Sequence, residues 1–188
     1  MKLSEFIKSS ERTLADGVFH IDSEKKINLL HSAIGISTEV GEIMEAFQKK
    51  RLDIVNLSEE CADIMWYLAI PVREFSIDLS MYSPSYRSLF DPTKLVVDTS
   101  SFLDLVKKAA FYGKELSKED VEGYVVLIYR HILDMSQCYK FDLEVAMKNN
   151  QDKLKARFPD KFTSEKALSR NLETERKELE KNIKVNPS

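Results

Sequence analysis

Two pairs of acidic residues stand close together in the first half of the chain, each with a spacing that suits shared chemistry. Glu39 and Glu42 form one pair, and Glu60 and Asp63 form the other. Side chains three residues apart on a helix project from the same face, with Cβ atoms about 5–6 Å apart. Two such helices side by side would bring four carboxylates together. An all-oxygen cluster of this kind predicts a magnesium site, with Mn²⁺ as the alternative ion.

Apolar residues recur at helical spacing on both sides of the acids, which predicts two helices. The carboxylates fall beside the apolar stripes and not on the opposite, solvated face. A carboxylate at the edge of a core face loses water and needs a compensating charge. For a single pair, solvation or pairing with Lys or Arg is the ordinary explanation, but two pairs separated by a short turn favour the metal site. The stripes consist of Leu29, Ala33, Ile36, Val40, Ile43 and Phe47 in the first helix and Leu57, Ile64 and Leu68 in the second.

Longer stretches around these acids resemble a known family. E-x-x-E followed by E-x-x-D is similar to the motif of the MazG-like nucleotide pyrophosphohydrolases, in the all-α NTP pyrophosphatase superfamily. The segments GISTEVGEIMEAFQKK and NLSEECADIMWYLA resemble the two metal-binding helices of its phage and bacterial members. The segment NQDKLKARFP resembles the family's N-x-x-K-L-x-x-R-(Y/F)-P sequence, and the tail resembles the end of phage members. The resemblance covers residues 28–80 and 141–180.

The resemblance implies an all-α helical bundle that hydrolyses a nucleoside or deoxynucleoside triphosphate to the monophosphate and pyrophosphate. It assigns metal binding and catalysis to the four acids. The phosphates would be held by Asn150, Lys153 and Arg157, with Lys50 as a further cation. His31 and Tyr67 are candidates for contact with the base. For His31, which lies about three helical turns or ~16 Å before Glu42, a packed or hydrogen-bonding role is the alternative.

Two other functions stay open from the sequence. One is a dUTPase or dCTPase of the same superfamily, which narrows the substrate. The other is a helical bundle that binds a partner and has lost turnover, although the presence of all four acids argues against it. The preferred base cannot be read from the residues. In each enzymatic case the protein would act in control of the nucleotide pool or in house-cleaning.

The composition fits one all-α domain over residues 1–188. The chain is 43% hydrophobic and 31% charged, with only 5 Gly and 5 Pro, which is typical of a soluble helical protein. A net charge of −3 gives no basic field for a nucleic acid. No apolar run reaches the length of a membrane span. Cys61 and Cys138 are expected to be small core residues in a reducing compartment. We therefore expect a cytoplasmic protein. The family resemblance implies the host cytoplasm if the chain is phage-encoded, and it implies a homo-oligomer, most simply a dimer.

The pattern of apolar, capping and breaking residues predicts seven helices. Asp22 or Ser23 would cap the second helix, Asn56 or Ser58 the third, and Ser100 or Ser101 the fourth. Residues 76–99 are expected to form a loop. Gly41, whose presence in a helix costs roughly 1 kcal/mol, suggests close packing at that point. The predicted helices cover 2–15, 23–51, 57–75, 101–113, 118–138, 142–157 and 164–184, so that 22–80 is the metal-binding pair, 142–159 the phosphate-binding segment and 163–185 a C-terminal arm.

Residues 100–138 resemble the first helix pair at an offset of 64 residues. Ala46 and Phe47 match Ala110 and Phe111, for example, and Asp78-Leu79 matches Asp142-Leu143. This pattern is explained either by a degenerate second copy of the pair or by two unrelated amphipathic hairpins. In the first case one metal site per chain is expected, because the four acids are all replaced. The residues at their positions are Leu103, Val106, Tyr124 and Leu127.

Overall fold

The computed structural model describes residues 3–10, 13, 20–21, 23–83, 90–161, 163–169 and 171–181. The regular structure in these ranges is helical throughout, which confirms the predicted all-α class. No helix among the described residues is both long and apolar enough to cross a membrane. The helices are α1 (Leu3–Ser10), α2 (Glu24–Gln48), α3 (Ile54–Phe75), α4 (Pro92–Tyr112), α5 (Lys118–Tyr139), α6 (Leu143–Arg157), α7 (Ser164–Leu168) and α8 (Leu172–Leu179).

Side-chain caps fix where the long helices begin. The predicted cap of α2 is confirmed, since the Ser23 hydroxyl accepts a hydrogen bond from the Lys26 N–H. The predicted cap of α3 is wrong, because Asp53 caps it and accepts from the N–H groups of Val55 and Asn56. An aspartate satisfies two otherwise unpaired N–H groups at this position, so the helix begins earlier than the apolar pattern suggests.

The core lies where α2 and α3 pack on each other and on the second pair. α2 packs against α4, α3 packs against α5, and α6 covers another side of α3. α8 in turn packs on α6. The largest fully buried apolar side chains come from α2, α3, α4 and α5 and include Leu29, Ile36, Ile43, Leu57, Ile64, Leu68, Leu95, Phe102, Ile128, Ile132 and Met135. α4 and α5 thus supply much of the core against which α2 and α3, the helices that carry the acids, are packed.

The two helix pairs share their local geometry at the offset of 64 residues. α3 and α5 are both followed by a residue with a left-handed backbone, Ser76 at φ 49° and Lys140 at φ 58°. The next residue is buried in each case, and then an aspartate, Asp78 or Asp142, accepts from the N–H two residues on. A duplicated helix pair would retain such details. The duplication itself stays a prediction.

Two further predicted boundaries differ from the structure. α4 begins at Pro92 after the Asp91 cap, so the predicted loop over 76–99 is too long, and Ser100 and Ser101 lie inside the helix. Aspartate followed by proline is a strong helix start, because proline has its φ preset and needs no partner for an N–H. The predicted helix 164–184 is instead two short helices, and 182–184 lie outside the described residues. α1 is described over Leu3–Ser10, and residues 2, 11, 12, 14 and 15 of the predicted first helix lie outside the described residues as well.

The two cysteines differ in exposure. Cys61 is fully buried against Met135, as expected, and burial raises the pKa of its thiol. Cys138 is exposed, so the prediction of a core position was wrong for it. It lies in the last turn of α5, where its sulfur accepts from the Phe90 N–H at 3.4 Å.

Candidate functional site

Three of the four predicted acids meet where α2 and α3 pack side by side. Glu39, Glu42 and Glu60 each offer a carboxylate oxygen, and these oxygens all lie within 4.8 Å of one another. Asp63 follows Glu60 by one helical turn and lines the same cavity. The i, i+3 spacing places both acids of each pair along the cavity. The expectation of four converging carboxylates is met by three of them among the described residues, and Asp63 is not part of that group.

Burial and mutual repulsion make the charge in this cluster unfavourable in the absence of a cation. Burial, together with the charges of Asp63 and Glu42, raises the pKa of Glu39 to about 7. Burial, followed by the charges of Glu59, Glu42 and the other acids, raises the pKa of Glu60 to about 9. Glu60 is only 5% exposed and accepts a hydrogen bond from the Asn56 amide. A cation placed among these oxygens would remove the repulsion.

α6 places a lysine and an amide against Asp63. The Lys153 ammonium lies 2.7 Å from Asp63 Oδ2 and 3.0 Å from Glu59 Oε1, and the Asn150 amide donates to Asp63 Oδ1 at 2.6 Å. Lys153 is 2% exposed; burial alone would lower its pKa, but Asp63 and Glu59 outweigh that effect and raise it. Asn150 and Lys153 thus hold Asp63 in place, and Lys153 supplies one buried positive charge beside the acid cluster.

Arg157, the last residue of α6, pairs with a residue of the C-terminal arm. Its Nε donates to Glu175 Oε1 at 2.8 Å and its Nη2 to Glu175 Oε2 at 2.5 Å. Both side chains are largely buried, with 14% of the Arg157 side chain exposed and 5% of that of Glu175. The guanidinium also lies 5.9 Å from the centre of the Phe158 ring.

Aromatic rings gather beyond the acids on α2 and α3. The ring of His31 lies 5.4 Å from that of Tyr67 and 6.2 Å from that of Trp66, in edge-to-face arrangements. Burial, with the nearby charges of Glu39, Asp63 and Glu42, raises the pKa of the Tyr67 hydroxyl. Trp66 is 46% exposed, so it is not the core residue that its type suggests. These rings can stack with a flat ligand and leave a polar edge toward the acids.

Tyr67 is held close to α2 by a glycine. A Cβ atom built on Gly35 would lie only 2.2 Å from the Tyr67 ring, whereas Gly41 has nothing within 4 Å of that position. The prediction of close packing at Gly41 is therefore wrong. Gly35 is the residue that allows a close approach, and its partner lies 32 positions away on the next helix.

All of the predicted site residues except Asn150 and Lys50 line one cavity of about 680 Å³. Asn150 is buried behind Asp63, and Lys50 lies beyond the end of α2 on the exposed surface. Of the ten predicted site residues, the structure thus gathers eight around one space and a ninth directly behind it. The lining includes His31, Glu39, Glu42, Glu60, Asp63, Tyr67, Lys153 and Arg157.

The sequence interpretation missed several residues of this cavity. Glu59, Trp66 and Glu175 all line it, as do Asn56 and Arg176. Glu59 precedes Asp63 by one helical turn, so its place near the acids could have been found from spacing. Glu175 lies in an acid- and lysine-rich tail whose pattern gives no sign that one carboxylate is buried.

The site combines acids for a hard cation, fixed positive charges and stacking surfaces in a space that would hold a nucleotide-sized ligand. No protein-family model matches the sequence, and comparison with curated proteins and with solved structures gave no match either.

Proposed function

We propose that this chain is a Mg²⁺-dependent nucleoside triphosphate pyrophosphohydrolase of the MazG-like type. Its substrate would be a ribo- or deoxyribonucleoside triphosphate, and its products the monophosphate and pyrophosphate. The observation that carries the proposal is the presence of three carboxylates within 4.8 Å of one another beside Lys153 and Arg157 in one cavity. The choice of products comes from the family resemblance, since carboxylate geometry alone does not define them.

The residues present fit a divalent cation. Glu39, Glu42 and Glu60 would hold it, because their oxygens already converge and because burial and the neighbouring acids raise the pKa values of Glu39 and Glu60. When bound, Mg²⁺ would polarise a phosphoryl oxygen of the substrate and would lower the pKa of a water bound to it.

The chain's own residues would orient the rest of the substrate. Lys153 and Arg157 offer positive charge to the phosphates, Arg157 with a fork that matches two oxygens. Asn150 keeps Asp63 turned toward the site through their hydrogen bond. Trp66 and Tyr67 offer ring faces and edges to a base. Nucleotide-pool control in the cytoplasm, by a homodimer, is the cellular role that we attach to this proposal.

A pyrophosphate-release assay tests the proposal. The wild-type protein would be incubated with each common ribo- and deoxyribonucleoside triphosphate in the presence of Mg²⁺ or Mn²⁺. We expect release with at least one of them, and no release in EDTA. Glu42→Gln keeps the shape of the side chain but removes its charge, so we expect at least a hundredfold loss of kcat with the helical content unchanged, on the order of the loss seen for a removed electrostatic group.

The matched control is Glu45→Gln, which alters an exposed glutamate one turn further along α2. It should retain wild-type turnover. A folded Glu42→Gln protein with near-normal Mg²⁺-dependent release would contradict the metal assignment. Binding of Mg²⁺ and a non-hydrolysable triphosphate without any turnover would instead favour the partner-binding alternative.

A further inference from the structure

Lys153 places a buried positive charge against two acidic residues of α3. Its ammonium nitrogen lies 3.0 Å from Glu59 Oε1 and 2.7 Å from Asp63 Oδ2. The side chain comes from α6, which packs on α3, and it is only 2% exposed. A buried ammonium has to stay paired, because an unpaired buried charge is costly. Lys153 is therefore a cation that the folded chain itself supplies at a fixed position beside the metal-binding acids.

Both carboxylate oxygens of Asp63 have a partner on α6. Lys153 contacts Oδ2, and the Asn150 amide donates to Oδ1 at 2.6 Å. Asp63 does not belong to the group of carboxylates whose oxygens lie within 4.8 Å of one another. Each of its oxygens has a second lone pair, but a metal ion bound there would lie close to the ammonium and be repelled by it. Asp63 is thus a poor ligand for an ion as long as Lys153 is in place.

Glu60, one helical turn before Asp63, differs in the charge of its partner. It accepts a hydrogen bond from the Asn56 amide, which is neutral. It also belongs to the converging group, here called the acid cluster, with Glu39 and Glu42. An amide satisfies one carboxylate oxygen but supplies no positive charge. The two acids of the pair on α3 therefore have different environments, since Asp63 already has a cation and Glu60 has only a neutral donor.

We propose that Lys153 takes the place of a second metal ion, so that the chain binds one divalent cation, at the acid cluster. The inference rests on the proposed function for the presence of an ion and adds the number of ions and what limits it. Two-metal sites hold their ions roughly 3.5–4 Å apart among shared carboxylates. The cavity has enough carboxylates on α2 and α3 for such a pair, and the ammonium occupies two of them. These carboxylates are Glu39, Glu42, Glu59, Glu60 and Asp63.

Titration with Mn²⁺, followed by electron paramagnetic resonance, counts the bound ions. It is done without nucleotide, because a triphosphate brings ions of its own. We expect one ion per wild-type chain. Lys153→Met keeps the length and the apolar stem of the side chain but removes the charge, so Glu59 and Asp63 lose their cation and we expect a second ion. Lys155→Met alters a lysine of the same helix whose side chain is 72% exposed; it is the matched control and should bind one ion.

Two ions in the wild type, none in the wild type, or only one in folded Lys153→Met would each overturn the inference. A second measurement does not depend on the folding of a variant. Anomalous diffraction from a wild-type crystal soaked in MnCl₂ should place Mn²⁺ on the acid cluster, with the Lys153 ammonium still on Asp63. A bond between Mn²⁺ and Asp63 would contradict the inference.

The release assay decides the proposed function separately. Pyrophosphate release by a wild-type protein that binds two ions contradicts only the inference about Lys153. One bound ion without release of pyrophosphate from any triphosphate contradicts only the proposed function.

Discussion

At the scale of single residues, the chemistry of the site follows from where charge is placed and how little water surrounds it. Glu60 is almost fully buried and has four other acids among its neighbours, so its carboxyl favours the protonated form. Lys153 compensates the negative charges of Asp63 and Glu59 through direct ion pairs. Glu39, Glu42 and Glu60 do not receive the same direct compensation among the described contacts. A divalent cation bound by Glu39, Glu42 and Glu60 would supply the positive charge that these three carboxylates lack.

The raised pKa values predict that the metal-free protein loses stability as the pH rises. Glu39 and Glu60 have an ordinary pKa of 4.5 and folded values of about 7 and about 9. The folded state therefore holds protons that the unfolded state has released. The resulting stabilisation is complete below pH 4.5, is lost progressively as the pH passes through 7 and is gone above 9.

Thermal unfolding in EDTA at about pH 6 and about pH 8.5 measures this effect. We expect a lower melting temperature at the higher pH, and a smaller difference when Mg²⁺ or Mn²⁺ replaces EDTA. Glu60→Gln removes the group with the larger shift, so its melting temperature should depend less on pH. A metal-free wild-type protein that is equally or more stable at the higher pH would contradict the electrostatic account of the cluster.

At the scale of helices, the sequence predicted the elements well where apolar spacing is regular. α2 and α3 carry long apolar stripes, and their existence and relative order were correct. The beginnings of α3 and α4 were wrong by several residues, because Asp53 and Asp91 cap them before the stripes start. Contacts between helices were harder to predict from the sequence. Nothing in the local pattern around Gly35 shows that Tyr67, on another helix, will pack against it.

The two glycines of α2 give a matched test of that contact. Gly41→Ala adds a methyl group in open space and improves helix propensity, so we expect the free energy of unfolding to rise by about 0.5–1 kcal/mol. Gly35→Ala places the same methyl group against the Tyr67 ring. We expect this overpacking to lower the free energy of unfolding by about 1–3 kcal/mol.

Urea unfolding of both variants provides the measurement, with Tyr67→Ala,Gly35→Ala as a further control. Removal of the ring should reverse much of the loss caused by Gly35→Ala, because the added methyl group then has room. If Gly35→Ala and Gly41→Ala stabilise the protein equally, Tyr67 does not pack against Gly35 in solution.

At the scale of the whole molecule, sequence reasoning reached the site only through the spacing of acids and the family resemblance. Lys153 meets Asp63 across 90 positions and Arg176 meets Asp53 across 123, and no periodicity connects such pairs. These contacts depend on how α6 and α8 pack over α3. The replacement of the acids in the second helix pair was visible from the start. The effect of that replacement on stability depends on how deeply each position is buried, and the burial is known only from the fold.

The positions that correspond to the acids in the second pair differ in their surroundings. Val106 is 2% exposed in the core, whereas Leu127 is 41% exposed. Leu103 and Tyr124 lie between these extremes and pack against the core. If the second pair is a scaffold, the acids have no role there, and the cost of restoring them should follow burial alone.

We therefore expect Val106→Glu to lower the free energy of unfolding by at least about 3 kcal/mol, because it buries an unpaired charge. Leu127→Glu should change it by less than about 1 kcal/mol, since the new carboxylate can remain in water.

Neither variant should increase pyrophosphate release or the number of Mn²⁺ ions bound per chain, which we expect to be set by the Glu39, Glu42 and Glu60 cluster. Denaturant unfolding measures the first effect and Mn²⁺ titration followed by electron paramagnetic resonance the second. A protein with acids restored at all four positions that stays folded and binds additional Mn²⁺ would show that the second pair can still form a metal site, and would contradict its assignment as scaffold.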